Sequence, residues 1–172
     1  RTNRPEIRSR IPRVHLVQPE FRVVGHGLSD VGRRREANED SYLIMPRNNL
    51  WIVADGMGGH AGGQFASTLT VETVGRSLVR RIDDAEAELR DHGVPIQMAE
   101  IMRKTIREAC AAVYDTAAVK THLRGMGSTV TAMLVYGDTA WFGHVGDSRA
   151  YLIRDQKIHQ VTEDHSLVQE QV

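Results

Sequence analysis

LWIVADGMGGHAGG, residues 50–63, decides how the chain reads. An apolar run from Leu50 to Ala54 stops at Asp55 and Gly56. A loop with further glycines at Gly58, Gly59, Gly62 and Gly63, and one histidine, His60, follows. A near-continuous apolar run of this length is the pattern of a strand covered on both faces. An acid where such a strand ends, followed by residues without side chains, leaves a backbone that a ligand can approach closely. A phosphate cradle of the nucleotide-binding kind would need a lysine and a hydroxyl directly after the glycines. The loop runs GGHAGGQFAS over residues 58–67 and has no Gly-Lys-Ser/Thr step.

Upstream, Ser41–Met45 reads as a short strand and residues 46–49, PRNN, as turn chemistry. Phe21–Leu28, dense in Val and Phe, reads as another strand, and the arginine-rich residues 29–38 as a loop. Downstream the period changes. Phe65, Leu69, Val74, Leu78 and Ile82 form an approximate helical stripe over residues 64–82. The charged residues 83–94, ending at Gly93, suggest a linker or a broken helix. A clearer stripe of Ala99, Met102, Ile106, Ala109, Val113 and Ala117 starts from about Pro95, which suits a first helical turn. Met98, Met102 and Tyr114 are ordinary core candidates there. The β pattern then returns. Ser128–Tyr136 and Thr139–Val145 form a hairpin across Gly137 and Asp138, residues 146–149 a turn, and residues 150–154 and 157–161 a last hairpin. Strands, two helices and strands again predict an α+β domain, not alternating βαβ units.

The chain has 172 residues, enough for one domain with a core. Lys plus Arg and Asp plus Glu are both 22, so the net charge is zero, which argues against a general nucleic-acid surface. A single cysteine, Cys110, permits no disulfide within the chain and fits a reducing cytoplasm. No apolar run reaches membrane-spanning length. Residues 1–20 carry five arginines and three prolines without the apolar block of a secretory signal. They read as a flexible basic leader, or as a basic docking arm, before a domain over 21–172.

Acids collect at the expected strand ends: Glu39 with Asp40, Asp55, and Asp147. Each alone has a bland reading, as a surface pair or a turn residue. Together, with little histidine or thiol nearby, they form the oxygen-rich set that suits Mg²⁺ or Mn²⁺. Gly56 can turn its carbonyl toward the same ion. Arg35, three residues before Asn38, suits a two-pronged grip on phosphate beside an acid-bound metal.

Five stretches occur in order: SDVGRRREANEDS (29–41), VADGMGGHAGG (53–63), GST (127–129), GHVGDSRAY (143–151) and TEDHSL (162–167). Together they resemble the PPM family of metal-dependent Ser/Thr protein phosphatases, the 2C type, in its bacterial form. The resemblance implies a four-layer αββα sandwich, incomplete here, with two Mn²⁺ or Mg²⁺ ions at one end. It implies that Asp55 bridges the metals, that the Gly56 carbonyl binds one, and that Glu39 and Asp40 act largely through bound waters. Arg35 holds the substrate phosphate, and Asp147 lies near a third, weaker site. The implied reaction is direct hydrolysis of phosphoserine or phosphothreonine by an activated water, on phosphorylated proteins that a Ser/Thr kinase supplies, with no nucleic acid or membrane partner. His60 is a general-acid candidate or, more simply, a loop residue; His144 and His165 read as structural. The family's later acidic motifs find no match after Asp164, so the sequence is expected to be the N-terminal part of a longer catalytic domain. A non-catalytic phosphoprotein-binding module with an incomplete metal site is the alternative reading.

Overall fold

The computed structural model describes residues 22–59 and 61–165. Leader residues 1–20, the start of the expected first strand at Phe21, His60, and residues 166–172 lie outside the described residues. The chain forms strands β1 (Asp40–Met45) and β2 (Leu50–Met57), helices α1 (Ala61–His92) and α2 (Met98–Val119), then strands β3 (Gly127–Ser128), β4 (Val130–Tyr136), β5 (Thr139–Val145), β6 (Tyr151–Arg154) and β7 (Lys157–Gln160). The main antiparallel sheet runs β1-β2-β4-β5, with β3 pairing to the end of β2, and β6 and β7 form a separate ribbon. The α+β expectation holds. Of the implied sandwich, the described residues show a helical layer on one sheet, plus the ribbon.

Turn chemistry fixes the register. Asn49 closes the β1–β2 connection at φ 48, a left-handed conformation that Asn tolerates, and its carbonyl accepts from the Val135 amide at 2.9 Å. Asp155 and Gln156 both lie at positive φ between β6 and β7, the backbone of a two-residue hairpin turn.

One face of the sheet is dry. Leu50, Ile52, Ala132 and Leu134 point to the helices, where they meet Val74, Leu78 and Ile82 of α1 and Met102, Ile106 and Ala109 of α2. On β2 burial alternates, so Trp51 and Val53 face the other way and Val53 is 47% exposed. The both-faces-covered reading of residues 50–54 is therefore corrected: among the described residues, helices cover one face only. Residues 22–28 form no strand. They run without ladder partners across the open face, with the backbone at Gly25 against the Trp51 ring and that at Gly27 against Tyr42 and Ile44.

Three helical expectations also change. Residues 83–92 continue α1 instead of breaking it: Ala85 packs on the core, Tyr136 donates to the Glu86 carboxylate at 3.1 Å, and Gly93 at φ 69 stops the helix with its amide on the Leu89 carbonyl. Helix α2 begins at Met98, so Pro95 precedes it, and Ala99 is exposed while Met98 and Ile101 face the core. Tyr114 is 76% exposed, one residue round the helix from buried Val113. Cys110 lies within α2, away from any loop that could activate a thiolate.

Candidate metal-binding site

β1 starts at Asp40, and β2 runs two residues past Asp55 to Met57, beyond where the apolar run predicts its end; their register sets Asp40 directly opposite Asp55. Directly opposed residues share a sheet face, so both carboxylates stand on the open side. The loop before β1 is held in place: the Asn38 amide donates to Ser29 Oγ at 2.6 Å, while Asn38 Oδ1 accepts from the Asp40 N–H at 2.9 Å. Burial raises the Asp55 pKa first, then the Asp40 charge and hydrogen bond; Arg35 pulls it down and Asp147 pushes it up. Two carboxylates crowded together without a cation resist joint ionisation, and a divalent ion removes that conflict.

Glu39 lies just before β1, with only 11% of its side chain exposed and an Arg35 Nη1 to Glu39 Oε2 separation of 3.6 Å. Its other oxygen, Oε1, is buried with no hydrogen-bond partner. A buried carboxylate oxygen left bare has a high desolvation cost, which a cation or its bound water offsets. Gly56 donates its N–H to the Glu39 carbonyl at 3.2 Å, and a Cβ on Gly56 would collide with the Gly63 and Glu39 carbonyls. A Cβ on Gly63 would come within 2.6 Å of the Glu39 carboxyl. Those two glycines are what let the first turn of α1, β2 and the loop before β1 converge.

A cleft of about 240 Å³ opens here, lined among others by Leu28, Tyr42, Val53, Asp40, Asp55 and Ser148. Among the described residues no three His, Cys, Asp or Glu side chains form a complete cation cage. The oxygens this stretch offers are the opposed Asp40 and Asp55 carboxylates and, on the residues next to them in sequence, the Glu39 carboxylate and the Gly56 carbonyl. All are hard oxygens and fit Mg²⁺ or Mn²⁺ better than a thiophilic ion.

The segments around Asp147 are tied to the same end of the sheet. His144, opposite Thr131, shares a 2.9 Å hydrogen bond with its hydroxyl through Nδ1 and donates Nε2–H to the Glu163 carbonyl at 3.0 Å. His165 donates its N–H to the Gly146 carbonyl at 2.8 Å, and Arg149 grips the Asp164 carboxylate with two nitrogens. Arg35 is 63% exposed, open to a ligand.

A family model of protein phosphatase 2C matches residues 32–170. The chain belongs to the protein phosphatase 2C family. Protein phosphatase PhpP of Streptococcus pneumoniae is 36% identical over 149 residues, covering 83% of this chain and 55% of PhpP. The crystal structure of the Mycobacterium tuberculosis serine/threonine phosphatase PstP/Ppp superposes with a TM-score of 0.66 at 34% identity, over 83% of this chain and 55% of that one. A structure of the PstP catalytic domain in complex with two manganese ions gives a TM-score of 0.64 at 35% identity, over 83% of this chain and 56% of the other. This 2C-family chain thus spans about 55% of the length of PhpP and of the PstP/Ppp structure. Divalent-metal dependence goes with the family. Among the described residues no helix is long and apolar enough to cross a membrane.

The sequence of this 2C chain singles out the acids but neither Ser148, which lines the cleft, nor Thr129, whose hydroxyl lies 2.7 Å from Ser148 Oγ. The signal for Thr129 was available: a hydroxyl directly after Gly127 and Ser128, one step before an apolar strand.

Proposed function

We propose that the protein to which this chain belongs hydrolyses phosphoserine and phosphothreonine in protein substrates, with Mn²⁺ or Mg²⁺ held by Asp55, the Gly56 carbonyl, Asp40 and Glu39, and with Asp147 serving a further ion. The observation that carries this reading is the β1–β2 register, which pairs Asp40 with Asp55 on the open face, next in sequence to Glu39, whose buried Oε1 has no hydrogen-bond partner. A divalent ion pair supplies charge neutralisation of phosphate and a lowered pKa for water. The chain's own residues do the rest. Arg35, exposed beside Glu39, takes the phosphate with its planar fork. Asp40, on the cleft wall, orients the incoming water and accepts hydrogen bonds from it. Water oxygen bonds to phosphorus, the bond to the serine or threonine oxygen breaks, and a proton returns to that oxygen, leaving inorganic phosphate and the alcohol. The reaction that must supply the substrate is Ser/Thr phosphorylation by a kinase, and the lone cysteine fits cytoplasmic work.

The test is phosphate release from a phosphothreonine peptide, with and without Mn²⁺. Expected is turnover with Mn²⁺ only, reduced about 100-fold or more in Asp55→Asn, since partners one layer behind a metal ligand already cost 10–100-fold. Peptide binding without any turnover would replace the enzyme by a phosphoprotein-binding module.

A further inference from the structure

Asp55 lies opposite Thr129 by continuation of the register that sets Gly56 opposite Ser128 and Val53 opposite Thr131. An antiparallel pair of this kind exchanges two main-chain bonds. Only one is made here: the Thr129 N–H donates to the Asp55 carbonyl at 2.9 Å. The Asp55 N–H turns instead to the Thr129 side chain, Oγ1, at 2.9 Å. The Thr129 carbonyl that should have received it accepts from Ser128 Oγ at 2.8 Å. A side-chain oxygen thus replaces a main-chain one at the rung that carries Asp55, and the ladder breaks there into β3 and β4.

The same hydroxyl reaches across to the residue that follows Asp147. Thr129 Oγ1 lies 2.7 Å from Ser148 Oγ, and Ser148 lines the cleft with Asp40 and Asp55. The Thr129 methyl occupies the other side of the turn: Gly146, at φ 109, has its open side against it, and a Cβ there would fall 2.6 Å from Thr129 Cγ2. One threonine therefore holds the Gly146–Ser148 turn at its first and third residues, with Asp147 between them, while its oxygen holds the Asp55 backbone. A second contact, Thr131 Oγ1 at 3.2 Å from the Ser148 carbonyl, backs the turn from the neighbouring rung on the same face.

We propose that Thr129 is a positioning residue that locks Asp55 and the Asp147 turn into one unit and so sets the cation affinity of the site. The proposal rests on the reading of Asp55 and Asp147 given under Proposed function. Thr129→Val keeps the branched shape and the methyl against Gly146 but removes the oxygen; Thr129→Ser keeps the oxygen and drops the methyl. The experiment titrates the 172-residue chain with Mn²⁺, following free Mn²⁺ by electron paramagnetic resonance. In parallel, amide exchange at Asp55 is measured by NMR in the metal-free chain, with circular dichroism as a check on folding. Thr129→Val is expected to weaken Mn²⁺ binding about 10–100-fold and to speed exchange at Asp55, with the folded spectrum retained. Thr129→Ser is expected to restore most of the affinity and the slow exchange. Mn²⁺ binding by Thr129→Val at the wild-type level overturns the proposal, as does a serine variant as weak as the valine one, or a loss explained by unfolding. A wild-type chain that takes up no Mn²⁺ overturns the functional reading and this proposal together.

Discussion

Asp55 is held under two opposed demands. Its strand pins it beside Asp40, and that proximity, after burial, raises its pKa. A raised carboxyl pKa means that the folded chain binds the proton more tightly than the unfolded one, so the contribution of this group to stability falls as pH rises from its ordinary value of 3.8. At neutral pH the ionised side chain is a cost to the metal-free fold. Asp55→Asn should therefore melt higher than wild type without metal, by about 1–2 °C after allowing for solvent screening, and should lose the melting-temperature rise that Mn²⁺ gives wild type. A lower melting point for the metal-free variant would mark the carboxylate as a structural bond. Arg35→Ala is expected to raise KM for a phosphopeptide with an unchanged melting temperature, because the side chain is mostly exposed and its ion pair with Glu39 is long. Normal kinetics with a lowered melting temperature would make Arg35 structural. Gly56→Ala should destabilise by about 1–3 kcal/mol, because the added methyl meets backbone that cannot swing aside. At this scale the acids and glycines were legible, since their chemistry is unusual for their positions. Thr129 was legible only as the last residue of the GST stretch; its part was not, because nothing in a sequence shows that a side-chain oxygen replaces a carbonyl in the ladder.

The helices show how far periodicity reaches. Helix α1 is 32 residues long, and its apolar stripe ends at Ile82 although the helix does not. Beyond that point Ala85 on the core and Glu86 bonded to Tyr136 hold it, with a Glu88–His92 pair one turn apart inside the helix, and such isolated contacts leave no stripe to read. Between the helices, Glu108 of α2 accepts from Ser77 Oγ at 2.6 Å and from Arg81 of α1 at 2.7 Å. The Ser77 bond, then Arg81, holds its carboxyl below the ordinary 4.5. A depressed carboxyl stabilises the fold above its unfolded pKa, and that contribution disappears as pH falls through the folded value. Glu108→Gln should thus lower the melting temperature at pH 7 by about 1–3 °C, with the difference from wild type closing in strong acid. A deficit independent of pH would assign the effect to shape. Tyr114 was misjudged by one residue of helical phase, since its neighbour Val113 has the same apolar character and occupies the buried position.

At the scale of the whole sheet, apolar side chains lie on both faces, but among the described residues helices cover only one. Tyr42, Val53 and the ribbon residues Ile153 and Ile158 are exposed among the described residues. Sequence pattern reports that a residue is apolar and is silent about which face has a neighbour, so the run at 50–54 reads the same either way. With zero net charge and that apolar surface, the chain in isolation should enhance the fluorescence of a hydrophobic dye and self-associate at raised concentration, as sedimentation would show. A dye-silent monomer would mean that the face is covered. The short turn at residues 46–49 has a different kind of consequence. It sets which residue of β1 meets Asp55, and a slip of one position carries a strand's side chains to the opposite face. Insertional scanning there should find a strict ruler: substitutions at Arg47 pass, but losing or gaining one residue brings Glu39 or Ser41 opposite Asp55. Such a length variant would keep its secondary structure and core and still be unable to take up an ion, so evolution can edit the spelling of this connection far more freely than its length.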